Sequence, residues 1–177
     1  MKKEIILEGR AMVIKDKNGK AIDDIDTDMI FHNKHLHITD INEMGQFCFG
    51  NLQGWEDFSK KAKSGDILVV GMNFGAGSSR QQAVDCLQAL GVQMIIGESF
   101  GAIYKRNAIN SGLPLMMAPE IMSDNIETGD SIKVNLKTGK IDNISNNQSL
   151  KAATPLSKVQ LDIYHAGNLF EYGRKLE

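Results

Sequence analysis

The chain has 177 residues, 42% of them hydrophobic, and a formal net charge of −2 at pH 7. This size allows one domain with a substantial core, and the balanced charge without a long basic run disfavours binding to nucleic acid or to a membrane surface. No apolar stretch has the length of a signal segment or a membrane span, and two cysteines support neither a disulfide framework nor a self-sufficient metal site. We therefore expect residues 1–177 to form a single cytoplasmic domain.

The first part of the chain predicts strands joined by irregular segments. Residues 4–14 are typical of a strand, and the turn residues Lys17-Asn18-Gly19 follow it. Residues 29–54 have weak periodicity and predict a loop with short helical pieces. A short helix near residues 55–62 and a strand over 66–71 come next.

The middle of the chain predicts an alternation of helices and strands. A helix over about 79–90 ends at Gly91, the left-handed position that commonly follows a helix, and a strand over 92–96 follows. A second helix over about 99–110 leads to a third strand over 113–117. This order predicts parallel strands joined by right-handed crossovers.

The last part of the chain predicts a β-hairpin and a terminal helix. Residues 131–144 alternate around Thr138-Gly139, as a hairpin does. The polar residues 145–149 predict a turn, and residues 156–173 predict one helix with an apolar face. The fold class is therefore α/β, with a central, largely parallel sheet flanked by helices, a hairpin and a C-terminal helix.

Residues 75–80, Gly-Ala-Gly-Ser-Ser-Arg, predict an anion site between a strand and a helix. Glycines let backbone N–H groups approach a ligand, and unpaired amides at a helix start favour negative charge. The segment matches neither a P-loop nor the dinucleotide fingerprint. The plainer alternative is that Ser78 or Ser79 only caps the helix. Arg80 favours the anion site, because a cation in the first turn opposes the helix macrodipole.

Three segments resemble the small subunits of the 3-isopropylmalate dehydratase and homoaconitase group, relatives of the C-terminal domain of aconitase. They are Ile25-Asp-Thr-Asp28, Asn73 to Arg80, and Arg106 to Leu113, and the resemblance extends over nearly the whole chain. It implies a swivelling β/β/α domain that completes an active site on a larger partner subunit, which holds a 4Fe-4S cluster on three cysteines.

The resemblance also implies the reaction. A hydro-lyase of this group moves water across two carbons of a 2-hydroxy-dicarboxylate through an unsaturated intermediate. The simplest substrate is 3-isopropylmalate, in leucine biosynthesis; homoaconitate, citramalate and 2,3-dimethylmalate are alternatives. An alternative of another class is a non-catalytic anion-binding or regulatory domain.

By resemblance, Ser78 is the general base that removes and returns a proton beside a carboxylate. Arg80 would hold a substrate carboxylate through its planar fork, and Ser79 would assist through its hydroxyl or amide, next to Gly77. A helix N-terminus supplies only about 0.3 to 2 kcal/mol, or roughly one pKa unit. Ser78 therefore needs Arg80, the loop amides and the partner's metal site to become a base.

The segment Asp26-Thr27-Asp28 has two interpretations. Asp and Thr side chains commonly make turns and caps with nearby backbone amides, so the segment could orient the loop that follows it. The resemblance allows direct substrate contact instead. A metal site is the weaker alternative, because no third oxygen-rich element accompanies the carboxylates.

The histidines mark a departure from the group's usual pattern. Where the isopropylmalate enzymes usually have a proline and a Tyr-Leu-containing loop, this chain has His32 and His35-Leu36-His37-Ile38. We expect His35 and His37 to contact the substrate's side group; the alternative is that both face solvent, and a zinc site with His32 is weaker still. A second cation that binds a substrate carboxylate could be Lys20, Lys34 or a residue of the partner subunit.

Two further groups of residues have plain predictions. Cys86 shares a helical face with Ala83 and Leu87, which predicts a buried thiol. The segment Tyr104-Lys105-Arg106 predicts a solvated helix surface. Alternatively, Arg106-Asn107 braces the active-site loop or touches the partner.

Overall fold

The computed structural model describes residues 3–176, which form seven strands and seven α-helices. The strands are β1 Ile6–Val13, β2 Ile67–Val70, β3 Met94–Gly97, β4 Leu115–Met117, β5 Ser131–Asn135, β6 Ile141–Asn143 and β7 Gln148–Ser149. The helices are α1 Thr27–Ile30, α2 Ile41–Met44, α3 Phe58–Lys61, α4 Gln82–Ala89, α5 Ala102–Asn110, α6 Lys158–Ala166 and α7 Leu169–Arg174. Within the described part, no helix is long and apolar enough to cross a membrane.

All seven strands belong to one sheet in the order β4-β3-β2-β1-β5-β6-β7. The pairs from β1 to β4 are parallel, as the alternation of strands and helices predicted. The predicted hairpin, β5 and β6, is confirmed, and β5 adds antiparallel to β1 so that the hairpin extends the same sheet. The segment 145–149, predicted as a turn, contains the short strand β7, which pairs with β6.

The central strands are buried on both faces, because a hydrophobic cluster covers each side of the sheet. Leu68 and Val70 of β2 pack in the cluster that includes α4 and α5, while Ile67 and Val69 point into the other. This alternation follows from the strand pleat. Cys48 and Cys86 lie fully buried in the first cluster, as predicted for Cys86, and burial raises the pKa of the Cys48 thiol.

Two helix predictions were wrong in their bounds. The predicted helix over 79–90 starts at Gln82, so Ser78 to Arg80 lie outside it. The predicted terminal helix over 156–173 is two helices, because Gly167 has a φ of 108° and ends α6. Asn168 then caps α7 by accepting a hydrogen bond from the Glu171 amide.

The loop between β2 and α4 is held on both sides by backbone hydrogen bonds. The Gly75 amide donates to the Ile25 carbonyl at 2.7 Å, and the Thr27 amide donates to the Ala76 carbonyl at 3.0 Å. On the other side, the Gly101 amide donates to the Phe74 carbonyl at 2.9 Å. The loop therefore lies between two neighbouring chain segments and extends the sheet beyond the carboxyl ends of its parallel strands.

Gly75 packs directly on the ring of Tyr104. A Cβ on Gly75 would overlap this ring, and the Gly75 φ of 77° is one that only glycine adopts easily. Tyr104 was predicted on a solvated helix surface, but its side chain is 1% exposed and its hydroxyl donates to the Ala83 carbonyl. The prediction failed because this contact depends on the tertiary fold.

We predict that Gly75→Ala destabilises the chain more than Gly77→Ala does. Gly77 has a φ of 90° but open space, with the nearest atom to an added Cβ at 3.8 Å. Gly77→Ala should therefore lower the free energy of unfolding by about 1–2 kcal/mol through backbone strain alone. Gly75→Ala adds the overlap with Tyr104 and should lower it by at least about 1 kcal/mol more. Urea unfolding of both variants measures the difference, and equal losses would contradict the contact.

Candidate active site

The loop after β2 presents the predicted catalytic residues at its end. Ser78 and Ser79 are exposed, whereas the side chain of Arg80 is only 15% exposed. The loop lies beyond the carboxyl end of a parallel strand, the edge at which open α/β sheets bind ligands. The residues that resemble the group's motif are therefore displayed together on one surface.

Neither serine caps the following helix. The N-cap of α4 is Gln81, which makes no side-chain capping hydrogen bond, and Ser78 lies four residues before the first helical residue. The alternative that Ser78 or Ser79 only caps the helix is therefore wrong, and so is the argument that Arg80 sits in the first helical turn. The dipole of α4 falls off within its first turn and contributes little at Ser78.

Arg80 is anchored by Asp28 across the loop. The Nη1 atom of Arg80 donates to Asp28 Oδ1 at 2.6 Å and to the Phe31 carbonyl at 3.1 Å. Asp28 also accepts from the Asn33 amide at 2.9 Å and from Asn51 Nδ2 at 3.1 Å. The hydrogen bond from Arg80 is the main cause that holds the pKa of Asp28 below its ordinary value.

This anchoring uses only one nitrogen of the guanidinium group. Within the described residues, all side-chain hydrogen bonds of Arg80 come from Nη1. A guanidinium has five N–H donors in a fixed plane, so donors on Nε and Nη2 remain for a ligand. The arrangement can therefore present a planar pair of donors to a carboxylate.

Asp26 and Thr27 both make contacts inside the chain. Asp26 Oδ1 accepts from the Met29 amide at 2.8 Å and caps α1. Thr27 is 3% exposed, and its hydroxyl donates to the Ser78 carbonyl at 2.9 Å. Asp26 therefore has the local capping role of the plainer interpretation, Thr27 supports the loop after β2, and contact of the segment with substrate stays a prediction.

Asn51 and Asn107 complete the surroundings of the loop. Asn51 supports Asp28, and Asn107 Nδ2 of α5 donates to Ser79 Oγ at 3.2 Å. Asn51 was missed in the sequence, since an isolated asparagine in an irregular segment has no distinguishing pattern. The predicted alternative that Arg106-Asn107 braces the loop holds for Asn107.

The histidines lie in the turn that follows α1. His35 is half-buried and stacks on Phe47 with ring centroids 3.9 Å apart, whereas His37 is exposed. Burial is the main cause that lowers the pKa of His35, which favours its neutral form. His32 Nδ1 accepts from the Lys34 amide at 3.1 Å and so caps a short 3₁₀ turn. Among residues 3–176, no three His, Cys, Asp or Glu side chains lie close enough together to hold a metal ion.

A hollow of about 1090 Å³ lies beside α1. Lys20, Met29, Asn51 and Trp55 are among its lining residues, and residues 75–80 are not. Lys20 thus lines this hollow, while Lys34 is exposed in the turn that carries the histidines.

Comparisons with known proteins place the chain in a family. Residues 13–120 match the family of the aconitase C-terminal domain. The 3-isopropylmalate dehydratase small subunit of Caldicellulosiruptor saccharolyticus is 42% identical over 161 residues, covering 91% of each chain. The isopropylmalate/citramalate isomerase small subunit of Methanocaldococcus jannaschii is 40% identical over 163 residues, 92% of this chain and 95% of that one.

A solved structure gives the same result for the fold. The crystal structure of 3-isopropylmalate dehydratase from Methanocaldococcus jannaschii superposes with a TM-score of 0.84 at 36% identity, covering 97% of this chain and 95% of that one. Sequence and fold thus agree over almost the full length. The chain belongs to the aconitase C-terminal domain family, in its group of 3-isopropylmalate dehydratase small subunits.

Proposed function

We propose that the chain is the small subunit of a heteromeric iron-sulfur hydro-lyase, which isomerises a 2-hydroxy-dicarboxylate by dehydration and rehydration. The substrate class is a malate with an apolar side group, with 3-isopropylmalate, in leucine biosynthesis, as the leading substrate. The observation that supports this most is Ser78-Ser79-Arg80 on an exposed loop, with Arg80 anchored by Asp28 at 2.6 Å. We further propose one swivelling domain over residues 1–177 that works in the cytoplasm.

The iron-sulfur cluster does not fit this chain. Cys48 and Cys86 are both fully buried in the hydrophobic core, where they support packing and are not available as ligands to a cluster. A cluster of this kind is held by several cysteine thiolates. We therefore propose that the large partner subunit carries the 4Fe-4S cluster and that this chain supplies the acid–base and carboxylate-binding side chains.

In this proposal Ser78 takes a proton from the carbon next to a substrate carboxylate and returns it during rehydration. A serine hydroxyl ionises far above neutral pH, and each pKa unit of activation needs about 1.4 kcal/mol. Ser78 is exposed and lies outside α4, so the isolated chain supplies little of this energy. Exclusion of water by the partner would strengthen the effect of any cationic or N–H group that faces Ser78 in the assembled enzyme.

Arg80 holds the carboxylate that lies next to the reacting carbon. Its Nη1 stays on Asp28, and the remaining guanidinium donors form a planar pair that suits a carboxylate. Ser79 and the backbone at Gly77 bind the substrate beside Arg80. Asp26, Thr27 and Asp28 act mainly through the position of the loop.

The surroundings of the histidines support an uncharged side group on the substrate. His35 favours its neutral form and stacks on Phe47, and His37 lies exposed two residues on. A neutral imidazole and an aromatic ring suit an isopropyl or methyl group better than the additional carboxylate of homoaconitate. Citramalate is the second candidate, because a relative that is 40% identical is named isopropylmalate/citramalate isomerase small subunit.

We predict that Ser78→Ala abolishes most turnover in the assembled enzyme. Loss of a general base should lower kcat by about 10²- to 10⁴-fold, with a small effect on KM. The assay mixes this chain anaerobically with its cluster-loaded large subunit and follows the absorbance of the unsaturated intermediate. Ser59→Ala in α3 is the control and should keep normal turnover. Normal turnover by Ser78→Ala would falsify the role of this residue as the base.

We also predict a pH-dependent contribution of Asp28 to stability. The pKa of Asp28 in the folded chain lies below its ordinary value of 3.8, mainly because Arg80 stabilises the charged form. The contribution of the ion pair is therefore complete above the unfolded pKa and is lost as pH falls through the folded pKa. Asp28→Asn should be less stable than the wild type at pH 7, and the two should converge in acid.

Urea unfolding at a series of pH values measures this difference. Asp57→Asn is the matched control, because the side chains of the Asp57–Lys61 pair are 52% and 53% exposed and such pairs contribute little. A difference between Asp28→Asn and wild type that stays constant from neutral to acid pH would contradict the contribution of the ion pair.

A further inference from the structure

One face of α5 supports the active-site loop at three points. Gly101, Tyr104 and Asn107 lie three residues apart, a spacing that places them on neighbouring turns of the same face. A Cβ on Gly101 would lie 2.6 Å from the Gly75 carbonyl oxygen, and the Tyr104 ring fills the space against Gly75. Asn107 Nδ2 continues this face and reaches Ser79 Oγ at 3.2 Å. The Asn107 contact therefore belongs to a packed helix–loop contact.

The direction of this hydrogen bond excludes the Asn107 NH₂ group as the acceptor of the Ser79 proton. An amide NH₂ group only donates, so the hydroxyl oxygen of Ser79 is the acceptor. A hydroxyl has one proton, and within residues 3–176 no acceptor takes the proton of Ser79. A hydroxyl that already accepts a hydrogen bond is polarised into a better donor. The exposed Ser79 hydroxyl is thus prepared to donate to a group outside this chain.

We propose that Asn107 is a positioning residue that directs the Ser79 hydroxyl proton to the substrate carboxylate held by Arg80. This inference rests on the proposed function. The carboxylate is the acceptor of choice because Arg80, the next residue, retains free guanidinium donors on Nε and Nη2. Ser79 then adds a neutral donor to the charged fork, and Asn107 keeps that donor from turning into the protein.

Replacement of Asn107 by aspartate separates this role from simple packing. The carboxylate introduced by Asn107→Asp has nearly the same shape as the amide but only accepts hydrogen bonds, so the Ser79 proton would turn toward α5 and away from the substrate. Asn107→Ala removes the partner without capturing the proton. We therefore expect Asn107→Asp to lower kcat/KM by about 10- to 100-fold, the range of one hydrogen bond to a charged group, and Asn107→Ala to lower it less.

The deciding experiment repeats Asn107→Asp in a Ser79→Ala background, in the assembled enzyme. If Asn107 acts through the Ser79 proton, the loss from Asn107→Asp shrinks to about 3-fold or less when no hydroxyl is present. Equal losses in both backgrounds would mean that the new carboxylate only repels the anionic substrate, and they overturn the inference. Asn110→Asp, at the end of the same helix, is the control for added charge and should retain wild-type kcat/KM.

A binding measurement keeps this test independent of turnover. Calorimetric titration of the assembled subunits with malonate, a simple dicarboxylate, should show a larger loss of affinity for Asn107→Asp than for Asn107→Ala. The loss of affinity from Asn107→Asp should become smaller in the Ser79→Ala background. If wild-type subunits turn over no hydroxy-dicarboxylate, the proposed function fails and the malonate titration still decides the role of Asn107. If the wild-type enzyme turns over a hydroxy-dicarboxylate but Asn107→Asp loses the same affinity for malonate in both backgrounds, the proposed function stands and the inference fails.

Discussion

The structure around Ser78 depends on the short run of contacts between residues 25–28 and the loop after β2. Backbone hydrogen bonds join Gly75 to Ile25 and Thr27 to Ala76, the Thr27 hydroxyl holds the Ser78 carbonyl, and Asp28 binds Arg80. Residues 25, 27 and 28 thus contact residues 75, 76, 78 and 80 in the same order along the chain. Because Ser78 and Arg80 lie outside α4, these contacts and not the helix position the Ser78 backbone and the Arg80 side chain.

This arrangement separates position from reactivity. Position is built into the isolated chain, through the segment 25–28 on one side and through α5 on the other. Reactivity is not, since a serine hydroxyl ionises far above neutral pH and Ser78 is exposed and lies outside α4. In the proposed enzyme the missing stabilisation would come from cationic and N–H groups that face Ser78 once the large subunit covers the loop, since such groups act more strongly where water is excluded. A division of this kind suits a small subunit, because the isolated chain would carry a correctly placed but inactive site.

The sequence was a good guide to the elements with strong local signals. Apolar runs bounded by Gly91 and Gly112 predicted the order of strands and helices, and Thr138-Gly139 predicted the hairpin. The start of α4 was misplaced because Ser78 and Ser79 look like capping residues, whereas tertiary hydrogen bonds hold that segment in an extended loop. The break at Gly167-Asn168 was missed because the apolar spacing continues across it. Glycine is nevertheless a common residue at the end of a helix, and asparagine is a common N-cap of the next one.

The site was predicted less completely, for a physical reason. The motif residues 78–80 were found by resemblance, but their partners are distant in sequence: Asp28 lies 52 residues from Arg80, and Asn107 lies 28 residues from Ser79. No local pattern encodes which asparagine meets which serine. The sequence therefore indicated that segments 26–28 and 106–107 could support a loop, but not which side chain contacts which.

The most direct test of this account is the crystal structure of the chain assembled with its large subunit and a bound hydroxy-dicarboxylate. We expect Arg80 Nη1 to stay on Asp28 and the Phe31 carbonyl, while the other guanidinium nitrogens bind a carboxylate and Ser78 Oγ lies beside the carbon that loses its proton. A complex in which Arg80 leaves Asp28 to reach the substrate, or in which Ser78 lies away from that carbon, would contradict the claim that this chain sets the geometry of its site before assembly.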